Sequence, residues 1–305
     1  MDCNNFLNDE DILKDQDRIQ PFINAITRNK HLFKDKVILD LNAGLGLIPI
    51  LLIRSGAKHV YAMKSHDHAN KILESNQINN VTLHKKAIKE VELDCKVDII
   101  ISAWMGNMLF YRGNIQELIQ ARDKYLNQDG LVLPDKGQLY LQSIEDGEYR
   151  DQKLTFWDSV YGVNMKWMKQ WIKHEPLLES IRKDQLNSDP VLIYEVDLMK
   201  CTFEDLSFSN SYQVQINRQD FVTGVIIWMK YSFTFTHLPI NVIMGPTKSP
   251  FWKPVIFYFN DEIPASKGEK LKGSFAIKFV QDDLILIKLS AHTKQYHQIQ
   301  SFRLN

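Results

Sequence analysis

Apolar and polar positions in the first part of the chain alternate between two periods. Ile12, Leu13, Ile19, Phe22, Ile23 and Ile26 fall on one helical face, with Pro21 marking a start or a kink. Residues 37–41 form a short apolar run of the kind a buried strand makes. The stretch 47–55 then reads as a helix, 60–63 as a strand and 67–76 as a polar helix. Two more strands are predicted at 81–84 and 97–102. A helix over 115–126 ends at the turn Asn127-Gln128-Asp129-Gly130. Strands alternating with helices predict a parallel sheet covered on both faces.

The pattern changes after Gly130-Leu131-Val132-Leu133-Pro134-Asp135. Strand-like runs at 139–144, 191–198, 213–216, 221–235, 254–258, 272–279 and 283–289 are separated by Pro, Gly, Asn and Asp. They predict an antiparallel second half closed as a barrel, with the boundary near Pro134. The fold class is therefore α/β, a Rossmann-like domain followed by a β-barrel. Residues 161–186 interrupt the strands and carry Met165, Trp167, Met168, Trp171 and Ile172. Their apolar spacing is too broad for one buried stripe, and Trp and Met are frequent interface anchors.

The 305 residues suffice for one large domain or two ordinary ones. Lys and Arg number 37 and so do Asp and Glu, so no global field favours nucleic acid, and no direct nucleic-acid binding is expected. The three cysteines, Cys3, Cys95 and Cys201, are scattered without a C-x-x-C pair, which predicts reduced thiols and no zinc site. His66-Asp67-His68 reads as a solvated surface rather than a metal site, because adjacent side chains point apart. No apolar run reaches a membrane span and the polar first residues do not resemble a targeting peptide, so the expected setting is the cytoplasm, with the nucleus as a second location and no membrane.

The run after the fourth predicted strand is the most specific feature. Ser102, Trp104, Met105, Gly106, Leu109, Phe110 and Tyr111 compose S-x-W-M-G-x-x-L-F-Y, the signature loop of the protein arginine methyltransferases, and the chain resembles that family from about Phe6 to Arg303. ARDKYL, the Ile144–Asp151 segment and FWDSVYG add to the likeness. The resemblance implies an N-terminal helical lid at 1–30, a methyltransferase domain at 31–134 and a barrel domain at 135–305. It also places a dimerisation arm at about 161–187, with Met165, Trp167, Met168, Trp171 and Ile172 at the interface.

Methyl transfer from S-adenosylmethionine to arginine requires a Gly-rich turn for close approach to backbone N–H groups. It requires an acid at the end of the second strand for the ribose. Carboxylates must also hold the cationic guanidinium. Set beside the family pattern, the turn reads Asp40-Leu41-Asn42-Ala43-Gly44-Leu45-Gly46, with Asn42 in place of the first glycine. Asn42 is expected to fill space near the ligand. Lys64 stands where the ribose acid belongs, Lys89 where an adenine-side acid belongs, and Asp9 where the lid carries a histidine. The two active-site glutamates correspond to Ala103 and Arg112, and the histidine of the barrel's T-H-W loop is absent from 249–254. Arg18, Asp40, Gly44 and Gly46 remain as vestiges of a cofactor site.

A unit charge pair at 4 Å is worth about 4 kcal/mol at an effective dielectric near 20. Replacing acids by Lys64, Lys89 and Arg112 therefore predicts that the cofactor and catalysis are both lost. The expectation that follows is an inactive family member, resembling the prozymes, with no cofactor and no metal. Such a chain would regulate an active arginine methyltransferase paralogue in a hetero-oligomer and reach protein substrates through it. The alternative is a divergent S-adenosylmethionine-dependent arginine methyltransferase with an altered cofactor site. A third reading is a binding module that uses Lys64, Lys89 and Arg112 as an anion site.

Overall fold

The computed structural model describes residues 6–248, 251–280 and 284–304. Cys3, Ser249, Pro250 and Asp283 lie outside that set.

Two helices open the chain, α1 (Phe6–Lys14) and α2 (Gln16–Thr27). The break between them is not at Pro21, which sits inside α2, but at Asp15. Asp15 is the N-cap, and its side chain accepts from the Arg18 backbone N–H at 3.3 Å. After α3 (Lys30–Phe33) come β1 (Val37–Asp40), α4 (Leu47–Arg54), β2 (His59–Ala62), α5 (Ala69–Ser75), β3 (Val81–Leu83), β4 (Val97–Ile101), α6 (Ile115–Tyr125) and β5 (Leu126–Leu133). The sheet order is β3-β2-β1-β4-β5, with every pairing parallel. β1 and β4 are central, which explains their near-continuous apolar sequence. The turn expected at 127–130 is absorbed into β5 as a bulge. Val97 pairs with Leu126 and Ile99 with Leu131, so the intervening residues loop out of register.

The Leu133–Pro134 peptide is cis, and the antiparallel half follows it. Its strands are β6 (Lys136–Ile144), β7 (Leu177–Leu178), β8 (Val191–Asp197), β9 (Phe208–Gln215), β10 (Asp220–Phe233), β11 (Ile240–Met244), β12 (Val255–Ala265), β13 (Lys270–Phe279), β14 (Ile285–His292) and β15 (His297–Leu304). One sheet runs β7-β12-β10-β6-β8, with β11 paired to β10, and the other runs β15-β14-β13-β9. The sheets approach along two seams, where Tyr194 stacks on Phe208 at 4.0 Å and Gln300 Oε1 accepts from Asn260 N–H at 3.1 Å. β7, β11 and β15 have no counterpart in the sequence expectations. β10 bulges between Val222 and Gly224, where a Cβ on Gly224 would stand 2.5 Å from the Phe257 carbonyl oxygen.

Two short helices, α7 (Gly147–Thr155) and α8 (Lys169–Ile172), lie in the segment between β6 and β8. Tyr161, Trp167 and Trp171 are exposed there, while Met168 and Ile172 are half-buried. Its base is held by β15: His174 Nδ1 is 3.0 Å from the Ser301 carbonyl, and Gln300 Nε2 donates to Lys173 O at 2.8 Å. Among the described residues no helix is long and apolar enough to cross a membrane.

The halves are joined through the lid and the boundary segment. Phe22 of α2 meets Phe233 of β10 edge-on at 5.1 Å, and Asn29 Oδ1 accepts from His237 N–H at 2.8 Å. Asp135 receives both the backbone N–H and the hydroxyl of Thr234, at 2.6 and 2.5 Å.

Candidate active site

In the strand order β3-β2-β1-β4-β5, the chain runs outward from β1 to β3 on one side and then resumes at β4 on the other. A crevice therefore opens beyond the carboxyl ends of β1 and β4, where ligands bind in doubly wound sheets. A cavity of 460 Å³ occupies that place, within the range of small-molecule sites. Asp40, Gly44, Lys64 and Ser102 line it from the sheet, and Asp9 and Arg18 from the lid.

The Gly-rich turn is intact in shape. Gly44 and Gly46 take positive φ, at 52° and 92°, and Gly46 opens α4. A Cβ on Gly44 would meet nothing within 4 Å, so a ligand can approach that backbone closely. Asn42 does not adopt positive φ, so a glycine is not required there. Its side chain is also held back: Ser102 Oγ donates to Asn42 Oδ1 at 2.8 Å, and Asn42 N–H donates to Asp40 Oδ1 at 2.9 Å. Asn42 lines the cavity, as expected, with its side chain tied to the sheet.

Asp40 is buried, and burial raises its carboxyl to about 7 against the lowering effect of the Asn42 N–H. Its Oδ2 has no hydrogen-bond partner among the described residues. Arg18 reaches the same cavity with an unpartnered Nη1, and its guanidinium is lowered by burial to about 10. The two do not form an ion pair with each other. Buried polar atoms left unsatisfied at one cavity point to a ligand that supplies the complement.

The cations expected to spoil the site do not converge. Lys89 and Arg112 are exposed and do not line the cavity, and Arg112 lies along the Tyr111 ring at 5.0 Å. Lys64 does line it, but Lys64 forms an ion pair with Glu117 and donates to Asn114 Oδ1 at 3.3 Å. Glu117, in the first turn of α6, also accepts from Ile88 N–H at 3.3 Å. The three cations therefore do not sum to one positive field, and the anion site of the third reading is not assembled. Glu117, which compensates Lys64, has no local sequence signal. A half-buried cation at a position where the family pattern has an acid is itself the cue to look for a compensating acid. His66 is half-buried at the cavity rather than solvated, with Nδ1 2.8 Å from Asp9 Oδ2. No metal-binding cluster occurs among the described residues.

The signature loop is packed for shape. Trp104 is fully buried and donates to the Pro134 carbonyl at 3.0 Å, while Asn114 N–H donates to Trp104 O at 2.8 Å. Met108, Leu109 and Arg112 hold positive φ, at 54°, 65° and 58°. Three such residues in one short loop are a local strain that only surrounding packing sustains. A Cβ on Gly106 would fall 2.2 Å from Tyr111 O. Ala103 lines the cavity from this loop.

Comparison with known proteins agrees with this geometry. Residues 135–290 match the family described as the arginine methyltransferase oligomerization subdomain. Protein arginine N-methyltransferase 1 of Chlamydomonas reinhardtii is 39% identical over 275 residues, 88% of this chain and 80% of that protein. The Schizosaccharomyces pombe protein of the same name is 36% identical over 88% of this chain and 81% of its own length. A chain of the Trypanosoma brucei PRMT1 enzyme–prozyme heterotetrameric complex with AdoHcy superposes with a TM-score of 0.91, at 26% identity, over 96% of each chain. These relatives carry the names of enzymes, which overturns the expectation of an inactive regulator without catalysis. The AdoHcy of the trypanosome complex likewise overturns the expectation that no cofactor is involved. That complex is also a hetero-oligomer, as the resemblance implied for the family. By the span of the subdomain match and by these identities, the chain belongs to the protein arginine methyltransferase family.

Proposed function

We propose that this chain is a divergent S-adenosylmethionine-dependent protein arginine methyltransferase with a rebuilt cofactor site. One observation carries the reading: Arg18 Nη1 and Asp40 Oδ2, both buried and without hydrogen-bond partners among the described residues, belong to residues lining a single 460 Å³ cavity beside an open Gly44 turn. An amino acid zwitterion supplies what each lacks, a carboxylate for Arg18 and an ammonium for Asp40. When bound, the cofactor supplies an electrophilic methyl group on a sulfonium.

The residues of this chain do the rest. Gly44 and Gly46 give the ligand access to backbone N–H groups, and α1 and α2 cover it, excluding water. Asp40, near half-ionised at neutral pH when nothing faces it, is held ionised by a cationic ligand. At the acceptor end Ala103 and Arg112 offer no carboxylate. An incoming guanidinium is therefore held less firmly than where both acids are present, and turnover is correspondingly low.

The domain partition at 1–30, 31–134 and 135–305 is part of the same proposal, as is an interface on Met165, Trp167, Met168, Trp171 and Ile172. Support for that interface comes from the exposure of Trp167 and Trp171 and from the oligomerization-subdomain match. The partner is a second arginine methyltransferase chain, and protein substrates are taken by this subunit directly.

Calorimetric titration of the purified chain with S-adenosylmethionine and S-adenosylhomocysteine tests the reading, together with transfer of labelled methyl to an arginine-rich peptide. Saturable binding of both ligands and slow labelling of arginine are expected. Absence of binding to either ligand refutes it.

A further inference from the structure

Lys64 and Glu117 are unusual partners for a nucleoside site. Lys64 lies two residues beyond the carboxyl end of β2, the region from which a doubly wound sheet addresses the sugar. It adopts positive φ, 52°, and its backbone N–H is fixed on Lys86 O at 3.1 Å, so the side chain leaves the strand in a defined direction. Asn114 precedes α6 and is a residue type that favours capping, yet it makes no side-chain cap. Its oxygen accepts from Lys64 instead. An ammonium has three N–H groups. Glu117 and Asn114 take two, and the third remains for the cavity that Lys64 lines.

Glu117 is the more enclosed partner, with its side chain 13% exposed against 33% for Lys64. One of its oxygens meets Lys64 and the other the Ile88 N–H, at the turn Ile88–Glu90. The pair is neutral as a unit. It delivers an N–H donor to the sugar without leaving a net positive charge beside the ligand.

We propose, building on the cofactor reading above, that Lys64 grips the sugar hydroxyls of the nucleoside. Glu117, by neutralising Lys64, sets how well the cationic sulfonium form is held relative to the neutral thioether form. Lys64 is the contacting residue, and Glu117 is a positioning and charge-balancing residue. The consequence is control over product inhibition: any loss of Glu117's charge favours S-adenosylhomocysteine over S-adenosylmethionine.

The full-length chain is titrated calorimetrically with both ligands at one pH and one ionic strength. Variants are Glu117→Gln, Lys64→Met, Lys64→Arg and the double variant Lys64→Met/Glu117→Gln, each checked for wild-type circular dichroism. Glu117→Gln is expected to weaken S-adenosylmethionine about fivefold or more relative to S-adenosylhomocysteine, because an uncompensated ammonium repels only the sulfonium. The double variant, lacking the cation, returns the ratio to the wild-type value. Lys64→Met weakens S-adenosylhomocysteine yet changes its 2′,3′-dideoxy counterpart less than twofold, and Lys64→Arg keeps the wild-type ratio. A purely structural ion pair would lower both ligands equally in Glu117→Gln, and that result overturns the proposal. Equal losses for the hydroxylated and dideoxy ligands in Lys64→Met overturn it as well. If the wild-type chain binds neither ligand, the cofactor reading itself fails. If it binds both while the ratios stay fixed, only the role of the pair fails.

Discussion

Arg18 lays its guanidinium carbon 3.8 Å above the centre of the Phe251 ring, so an α2 residue that faces the cavity is steadied by the antiparallel half. Trp252 adds a second ring at 4.8 Å. A planar guanidinium stacks on such faces while keeping its N–H edge free, which an ammonium cannot do. Phe251 therefore serves Arg18 as a stacking platform rather than as a hydrogen-bond partner. Phe251→Ala is expected to weaken S-adenosylhomocysteine roughly three- to fivefold, the size of a half-exposed cation–π contact. Arg18→Lys should cost more, about tenfold, since both the stacking and the forked donor are lost. Calorimetric dissociation constants check both.

Asp40 makes stability depend on pH. Its carboxyl is raised from 3.8 to about 7 in the folded chain. Below about pH 4 the folded and unfolded forms both hold the proton, and the group contributes nothing. Between about 4 and 7 the unfolded chain releases the proton more readily than the native one, so stability falls as pH rises through that window. Above about 7 both forms are ionised and the loss is complete, at most roughly 4 kcal/mol. Asp40→Asn should flatten this slope, measured by urea unfolding at pH 5, 6, 7 and 8. Binding of a ligand with an ammonium group near Asp40 should also release protons at pH 6. The apparent binding enthalpy would then vary with the ionisation heat of the buffer, and the dependence should vanish in Asp40→Asn.

How far the sequence spoke depends on whether a signal was local. β1 and β4 are apolar runs at a sheet centre, and the loop Ser102–Tyr111 is a contiguous motif, so both were legible. The break at Asp15 was not, because proline in the first turns of a helix is tolerated and the capping carboxylate decides the boundary. β15 reads as alternating polar residues because only one face packs on the core, and β11 is too short to show a period. The site divided in the same way. Asp40, Gly44, Gly46 and Arg18 were visible one residue at a time. Glu117, 53 residues from Lys64, became relevant only when α6 brought it across. Charge reversal at one position says little until its neighbour in space is known.

Trp104 couples the signature loop to the domain boundary. Its indole N–H satisfies the Pro134 carbonyl, and its ring packs so closely on Gly137 that a Cβ there would stand only 2.8 Å from it. Trp104→Phe should cost about 2–4 kcal/mol, combining a buried hydrogen bond with a partial cavity. Gly137→Ala should cost about 1–3 kcal/mol by overpacking the same ring. Urea denaturation, with intrinsic fluorescence and circular dichroism as coincident probes, measures both. Because the two residues touch, the double variant should be non-additive.

Trp167 and Trp171 are 68% and 58% exposed and lie 5.8 Å apart, ring to ring. Solvated indoles contribute little to the stability of an isolated subunit but dominate an interface that buries them. Replacing both by alanine should leave the unfolding free energy of the isolated subunit within about 0.5 kcal/mol of wild type. The same change should shift sedimentation velocity profiles toward the monomer at every loading concentration. A loss of stability without a change in association would place these rings against their own subunit instead.

The acceptor end of the site offers the most direct test of what has diverged. Ala103 lines the cavity and Arg112 is exposed at the far side of the same loop, so neither position presents negative charge to an incoming guanidinium. The loop that would carry acids there is otherwise intact, since Trp104, Met105 and Tyr111 are buried and Gly106 and Gly113 pass in close backbone contact. Arg112 already adopts a left-handed backbone, at φ 58°, which glutamate tolerates no worse than arginine. The double change Ala103→Glu/Arg112→Glu should therefore raise kcat/KM for an arginine peptide roughly 10- to 100-fold, the yield of one or two charge-assisted hydrogen bonds formed to the substrate. The neutral pair Ala103→Gln/Arg112→Gln has the same shape without the charge and should gain less than about threefold. Equal gains from both pairs would mean that Arg112 had been repelling or obstructing the peptide. No gain from either would mean that the acceptor is held by carboxylates elsewhere on the cavity wall, with Asp9 the first to replace.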